Sequence, residues 1–269
     1  MFTTGQMTGL ILAIVLPIMV GVVPYYLFWK RSSKIESGMM GAFMYGLFGN
    51  IWQTIIYSFL SMLVLSVAYN NKDGMLAGFL NSTGVSGIFV AVLEALFHSV
   101  FVVLGLYWGV YLTNKKQRSL YRSATVGIGF GIAYPILVYG FPLYYVMKSS
   151  LGTITDSEIA KFEAQNLSVV SVYVSTYRHI LMMIIFIGLA LVMGNYYLQK
   201  DYLSSWVVPA IVYILIRFTD VILNTYLSKT VSKTIMCVLL TVLAAWSVKM
   251  ILDWMKTDKV CIYQKKETL

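Results

Sequence analysis

Charged residues are scarce in this 269-residue sequence: Asp, Glu, Lys and Arg make up only 12%, whereas 59% of the residues are hydrophobic. A globular domain has about 25% charged residues, so this composition excludes an ordinary water-soluble domain. The longest polar connection, about residues 148–171, is too short to form a separate soluble catalytic domain. Any function must therefore lie within the apolar part of the chain or at its edges.

Cysteine and histidine are also scarce. Cys237 lies in an apolar stretch and Cys261 in the C-terminal tail, so no disulfide can be assigned and no paired spacing indicates a zinc or iron–sulfur site. Only two histidines occur, His98 and His179, whereas a metal site generally needs three or four protein ligands. The sequence therefore predicts no metal and no other cofactor.

Seven long apolar stretches dominate the chain. About 20 apolar residues let an α-helix cross the hydrocarbon core of a bilayer, and in lipid the backbone must form its hydrogen bonds within the helix. We therefore predict an all-α, multi-pass protein of the cell membrane, with residues 1–269 as one transmembrane domain ending in a tail at 255–269. The spans are predicted at about 7–29, 38–68, 85–113, 123–147, 172–198, 203–226 and 234–254.

Lysine and arginine are unevenly divided between the two ends of these spans. Twelve lie at the end that follows spans one, three, five and seven, and six lie at the opposite end, including Arg178, which together with His179 is placed close to that end of span five. Positive residues concentrate in cytoplasmic loops, which predicts an outside N-terminus and a cytoplasmic C-terminus. Because the net charge of +9 is spread along one rim, it favours contact with the lipid bilayer over binding to nucleic acid.

Few ionisable residues fall inside the spans, where such residues are costly and mark polar contacts or functional sites. Arg217 and Asp220 are three residues apart in the sixth span and are expected to pair. Glu94 and His98 are one turn apart in the third span, and His98 is the nearest donor to Glu94 that the sequence guarantees. We expect a buried polar contact there, with metal binding or proton transfer as the alternative.

Glycine and proline mark the fourth span. Gly127, Gly129 and Gly131 alternate at its start, and no strand precedes them as a phosphate-binding loop would require. Small residues let helices approach closely in lipid, so we expect close helix packing here. Pro135 and Pro142 predict a kinked helix whose freed carbonyls need neighbours or water as partners.

Four segments across about residues 100–218 carry framework residues in a characteristic order. They are residues 102–116 (VVLGLYWGVYLTNKK), 127–134 (GIGFGIAY), 186–192 (FIGLALV) and 213–218 (YILIRF). They are similar, in that order, to the patterns E-E-x-G-R-Y followed by K-K, G-x-G-H-G-G-x-E, H-I-x-L-S-x-x-V and H-x-x-x-D-F. The chain thus resembles the YhfC-type intramembrane metalloproteases. Their CAAX-protease-like superfamily also includes the seven-helix scaffold subunit of γ-secretase.

The resemblance implies that every catalytic position of the family is replaced in this chain. The family's paired glutamates correspond to Val102 and Val103, and its arginine corresponds to Leu106. Its span-four His and Glu correspond to Phe130 and Tyr134, and its later histidines to Phe186 and Tyr213. Its acidic residue corresponds to Arg217. Valine, leucine and phenylalanine have no donor atom, and a tyrosine hydroxyl is a poor substitute for imidazole. These positions should neither hold a metal nor activate water.

The resemblance therefore implies a pseudoprotease: a non-catalytic scaffold that binds a membrane-protein partner, a lipophilic peptide or another lipophilic ligand. One alternative is an active intramembrane metallopeptidase that holds zinc in a divergent site formed by Glu94, His98 and Asp220. Another is a transporter or permease component that uses Glu94, His98, Arg217 and Asp220 along a polar pathway. We find no internal repeat of the kind that many transporters contain.

The charge division makes a topological prediction: residues 148–171 lie outside and residues 114–122 inside. In a variant without the two native cysteines, Ser157→Cys should react with an impermeant thiol reagent in intact cells, and Arg118→Cys only after lysis. Labelling of the Arg118→Cys variant in intact cells, with protection of Ser157→Cys, would reverse the proposed orientation.

Overall fold

The structure, a computed structural model, describes residues 4–31, 36–70, 84–116, 119–155, 157, 159 and 169–256. Seven α-helices fill these ranges: α1 (Thr4–Arg31), α2 (Glu36–Asn70), α3 (Gly84–Lys116), α4 (Leu120–Ser150), α5 (Val169–Leu198), α6 (Tyr202–Tyr226) and α7 (Lys229–Lys256). The predicted tail beyond Lys256 and most of the connection between α4 and α5 lie outside the described residues, as does Arg118.

All seven helices are long and apolar enough to cross a membrane. The prediction of an all-helical chain with seven potential spans is therefore confirmed, and it indicates an integral membrane protein. Each helix contains its predicted span and extends beyond it, because helices continue through the interfacial layer, where polar residues are tolerated. Helices of 25 to 35 residues measure about 37 to 52 Å at 1.5 Å per residue, comparable with a bilayer including its head groups.

Helices α4 and α5 form the centre of the bundle. Buried residues make up 61% and 67% of their most apolar segments, against 33% or less in the other five helices. Helix α1 packs against both central helices, and α2 packs against α4 and α3. Helix α6 contacts α3 and α5, and α7 contacts α5 and α6. Five helices thus surround a central pair.

The close packing predicted from the alternating glycines of α4 is present. A side chain added at Gly127 or Gly131 would meet α5, where Ile187 Cα lies 2.6 Å from the added Cβ at Gly127. A side chain at Gly129 would instead collide with the backbone carbonyl of Phe43 in α2. Residues two apart in a helix point to nearly opposite sides, so the glycines let α4 approach α2 and α5 at the same time.

We expect Gly129→Ala to destabilise the bundle by about 1 to 3 kcal/mol, because the new methyl group has to displace the α2 backbone. Gly140→Ala is the matched control: it lies in the same helix, and an added Cβ there meets no atom within 4 Å. The free energy of unfolding, measured in mixed micelles titrated with denaturing detergent, should be lowered by the first change and maintained or raised by the second. Equal effects of the two variants would contradict the conclusion that Gly129 permits the close contact between α4 and α2.

Candidate functional site

A cavity of about 470 Å³ lies among six of the seven helices, α2 to α7. Its wall is half polar and half apolar. The polar residues are Tyr57, His98, Tyr134, Tyr139, Ser175, Arg178, His179, Tyr213, Arg217 and Asp220; the others are Gly131, Val138, Met182, Phe186, Ile216, Met236 and Leu240. Pockets of about 300 to 1,000 Å³ commonly bind small molecules, so this cavity is the candidate site.

An ionic network centred on Asp220 forms one side of the cavity. Asp220 Oδ1 accepts a hydrogen bond from Arg178 Nη2 at 2.9 Å, and Oδ2 accepts one from Arg217 Nη1 at 3.2 Å. Arg217 Nη2 also donates to Glu94 Oε1 at 2.6 Å. The contact between Arg217 and Asp220 expected from their spacing is thus present, within a larger network that joins α3, α5 and α6.

Two uncharged residues extend this network to α7. Asn224 Nδ2 donates to Asp220 Oδ1 at 3.2 Å, and Asn224 Oδ1 accepts from Ser232 Oγ at 2.8 Å. Ser232 lies in the first turn of α7, close to the end of the bundle. A continuous chain of polar contacts therefore runs from the rim of the bundle to the buried carboxylate.

The structure corrects the predicted position of Arg178 and His179, which the sequence placed at the outer end of the fifth span. Both line the cavity. Helix α5 begins no later than Val169, so Arg178 lies about 13 Å from that end of the helix at 1.5 Å per residue. The predicted span began too late because hydropathy locates the apolar stretch and not the first turn of the helix. Asp220 is the partner that makes a cation at this depth tolerable.

The structure also corrects the expected partner of Glu94. Arg217, and not His98, donates to this carboxylate, because a guanidinium from the neighbouring helix offers several donors to an ionised group. The His98 ring instead packs between Tyr57, at a centroid distance of 4.7 Å, and Tyr213, at 6.0 Å. His98 and Glu94 therefore do not form the contact that their spacing suggested.

The second histidine has a similar aromatic surrounding. The ring of His179 contacts Tyr134 and Tyr139 at centroid distances of 5.0 and 5.5 Å. Among the described residues, the Nδ1 atoms of His98 and His179 and the Nε atom of Arg217 are buried without a hydrogen-bond partner. The three residues all contribute to the wall of the cavity, but these particular atoms have essentially no accessible surface and so do not face its interior.

Prolines in α4 leave further polar groups at the cavity. Proline has no backbone N–H, so Pro135 and Pro142 cannot donate to the carbonyls four residues earlier. Those carbonyls belong to Gly131 and Val138, and both of these residues line the cavity. The freed acceptors anticipated from the sequence therefore belong to residues of the candidate site.

Of the four aromatic residues that the sequence resemblance aligns with catalytic groups, three lie side by side. Phe130 and Phe186 have ring centroids 4.9 Å apart, and Phe186 stacks on Tyr213 at 5.8 Å. All three belong to one buried apolar cluster that also includes Val102, Val103 and Leu106. The rings are therefore packed together, but Tyr134, Phe186 and Tyr213 also line the cavity, so this volume is not completely filled.

The residues present do not fit a catalytic metal at those positions, since packed phenylalanine rings and valines provide no ligand atom. In the part of the chain that the structure describes, no three His, Cys, Asp or Glu side chains are arranged to hold a metal ion. The carboxylates of the divergent alternative, Glu94 and Asp220, are engaged by Arg217.

Comparison with known proteins gives no match: no family model fits this sequence, and neither a curated protein nor a solved structure is significantly similar to it. The candidate site therefore has to be interpreted from its own chemistry.

We expect Asp220→Leu to be the most destabilising single change in the ionic network. It would leave Arg178 and Arg217 without their shared carboxylate, and removing one partner of a buried ion pair costs about 3 to 5 kcal/mol. Glu94→Gln should cost less than about 1 kcal/mol, because the Glu94 side chain is 42% exposed and the amide can still accept a hydrogen bond from Arg217. Unfolding in mixed micelles measures both values, and similar losses in the two variants would show that Asp220 is not the centre of the network.

Proposed function

We propose that this protein is a non-catalytic, ligand-binding protein of the cell membrane and that the cavity among α2 to α7 is its binding site. The observation that supports this proposal is the cavity itself, which has a volume of about 470 Å³ and is lined by ten polar residues, among them Arg178, Arg217 and Asp220. Aromatic and aliphatic side chains form the rest of the wall, as is usual in ligand sites. Such a wall suits a lipophilic molecule or peptide that carries a polar group.

The side chains available at the candidate site favour ligand binding over peptide hydrolysis. A metallopeptidase needs ligand atoms for its metal and a free carboxylate to activate water. At the positions that resemble the YhfC-type family, the side chains are apolar or aromatic. At the divergent site, a metal would have to displace Arg217 from both Glu94 and Asp220. We therefore propose a pseudoprotease-like scaffold in which the packed rings of Phe130, Phe186 and Tyr213 occupy positions that the sequence resemblance aligns with catalytic groups.

The cavity is closer to one end of the bundle. Arg178 and Glu94 lie in the first halves of α5 and α3, and Arg217 and Asp220 in the second half of α6. These halves share the end of the bundle at which α1 begins. With the N-terminus outside, as the charge division suggests, the cavity lies in the outer half of the bundle.

Blocking the cavity should prevent ligand binding. Val138 lines the cavity and is 42% exposed, so Val138→Trp should fill part of the space. Val242→Trp is the matched control, because Val242 is 63% exposed on α7 and is not part of the cavity wall. We expect native mass spectrometry of protein released from native membranes to detect a bound lipophilic compound in the wild type and in Val242→Trp, and much less of it in Val138→Trp.

Other outcomes would contradict the proposal. Equal amounts of bound compound in the two tryptophan variants, or none in the wild type, would exclude the cavity as the binding site. Hydrolysis of membrane peptides that is lost in Glu94→Gln, together with a stoichiometric transition metal, would identify a metallopeptidase. Movement of the bound compound across a proteoliposome membrane would identify a transporter component.

A further inference from the structure

We propose that the ligand is an uncharged, membrane-dissolved ring compound with oxygen atoms on its ring, such as a quinone or a phenol that carries an apolar side chain. Its ring would lie among the aromatic side chains of the cavity wall, and its oxygens would bind hydroxyl and imidazole groups there. This inference rests on the proposed binding function and names the chemistry of the ligand.

The charged residues of the site already balance one another. Asp220 accepts hydrogen bonds from Arg178 at 2.9 Å and from Arg217 at 3.2 Å, and Glu94 accepts one from Arg217 at 2.6 Å. Two positive and two negative side chains thus form one network without net charge. A charged ligand would add a charge without a counter-ion at a depth where isolated charges are costly. The network therefore favours a neutral ligand.

Uncharged groups provide the polar surface that remains for a ligand. Within the described helices, the hydroxyl of Tyr213 and the Nε2 atoms of His98 and His179 form no hydrogen bond, yet they keep accessible surface, unlike the two buried Nδ1 atoms. All three residues line the cavity, so these are the edges of their rings that face it. A hydroxyl both donates and accepts, and a neutral imidazole has one donor and one acceptor nitrogen. Such groups can pair with the carbonyl or hydroxyl oxygens of a ligand.

Aromatic rings form a large part of the cavity wall. Seven of its seventeen residues are Tyr, Phe or His. The Tyr213 ring stacks on His98 at 6.0 Å and on Phe186 at 5.8 Å, and His179 packs against Tyr134 at 5.0 Å. Aromatic rings stabilise one another in stacked or edge-on arrangements beyond the effect of the area they bury. A planar ring would extend these contacts, whereas a simple alkyl chain would not.

The depth of the stacked rings favours a compound that is already dissolved in the membrane. Tyr213 and His98 lie within two residues of the midpoints of α6 and α3, which places them in the hydrocarbon layer. A ligand that reaches this depth from the lipid needs an apolar part. Met182, Met236 and Leu240 line the same cavity and offer that part an apolar surface.

A set of decyl compounds with different head groups tests this inference. Binding of decylbenzoquinone, decylbenzene, decanol, decyl sulfate and decyltrimethylammonium would be measured in nanodiscs, with protein-free nanodiscs as the reference for partition into lipid. The quinone should bind about tenfold more tightly than decanol and about fivefold more tightly than decylbenzene, because it alone combines ring contacts with hydrogen bonds. The two compounds with permanent charges should bind more weakly than decanol.

Variants of single tyrosines separate the ring contacts from the hydrogen bonds. Tyr134→Leu should reduce the preference for both ring compounds over decanol by about threefold or more. Tyr213→Phe keeps the ring and should reduce only the preference for the quinone over decylbenzene, also by about threefold or more. Tyr144 is the matched control, because it lies on α4, is 52% exposed and is not part of the cavity wall. Tyr144→Leu and Tyr144→Phe should keep the wild-type preferences.

The comparison of probes on the wild-type protein decides the inference even if a variant fails to fold. Decanol binding as tightly as the quinone would overturn the ring, and decylbenzene binding as tightly would overturn the oxygens. Either charged compound binding as tightly as the quinone would overturn the neutral ligand. These three results leave the proposed binding function intact. Absence of binding by every probe would overturn the inference; the proposed function would fail with it only if Val138→Trp also matched Val242→Trp in bound lipophilic compound.

Discussion

The carboxylate of Asp220, shared between Arg178 and Arg217, is the interaction on which the arrangement of the site depends. Charges at hydrocarbon depth have no water to solvate them, so they are tolerated only with partners nearby. The three residues come from α5 and α6, and Glu94 adds α3. Helix α6 therefore cannot rotate without exposing its arginine or its aspartate to lipid. This requirement orients the polar wall toward the cavity.

Close packing of helix backbones is a second constraint, and it acts on the side of the cavity that α4 forms. Glycines in the first half of α4 bring that helix against both α2 and α5, and the volume around Phe130 is filled by apolar side chains. From Tyr134 onward α4 carries Tyr134, Tyr139 and two prolines, and its remaining glycine, Gly140, lies against no neighbouring atom. The helices cannot approach as closely there, and the space that remains is the candidate site.

Most of the fold could be predicted from the sequence, because the length and hydropathy of a membrane helix are local properties. The glycines of α4 were also informative, since a residue without a side chain has one evident use between helices. The rotation of each helix was not predictable. Lipid is as apolar as the interior of the bundle, so hydropathy does not show which face is buried: Met19 and Val242, for example, are more than 60% exposed although both are apolar.

The site was predicted only where its residues are close in sequence. Arg217 and Asp220 are three residues apart and lie on one helical face, so their contact followed from helix geometry. Arg178 meets Asp220 across 42 positions of sequence, and Glu94 meets Arg217 across 123. No local pattern connects these pairs. The sequence did contain one signal, because Arg178 and His179 are adjacent ionisable residues within an apolar helix. The charge count used for topology had assigned them to the rim.

The two prolines of α4 have a consequence for hydration. Each removes the helical donor of a backbone carbonyl that belongs to a residue of the cavity wall, Gly131 or Val138, and lipid chains cannot replace a lost N–H. Several ordered waters are therefore expected to occupy the polar part of the cavity when it is empty, bridging the carbonyls of α4 to the guanidiniums and imidazoles opposite. An entering molecule would displace this water cluster, and the release of the water to bulk solvent would contribute a favourable entropy to binding.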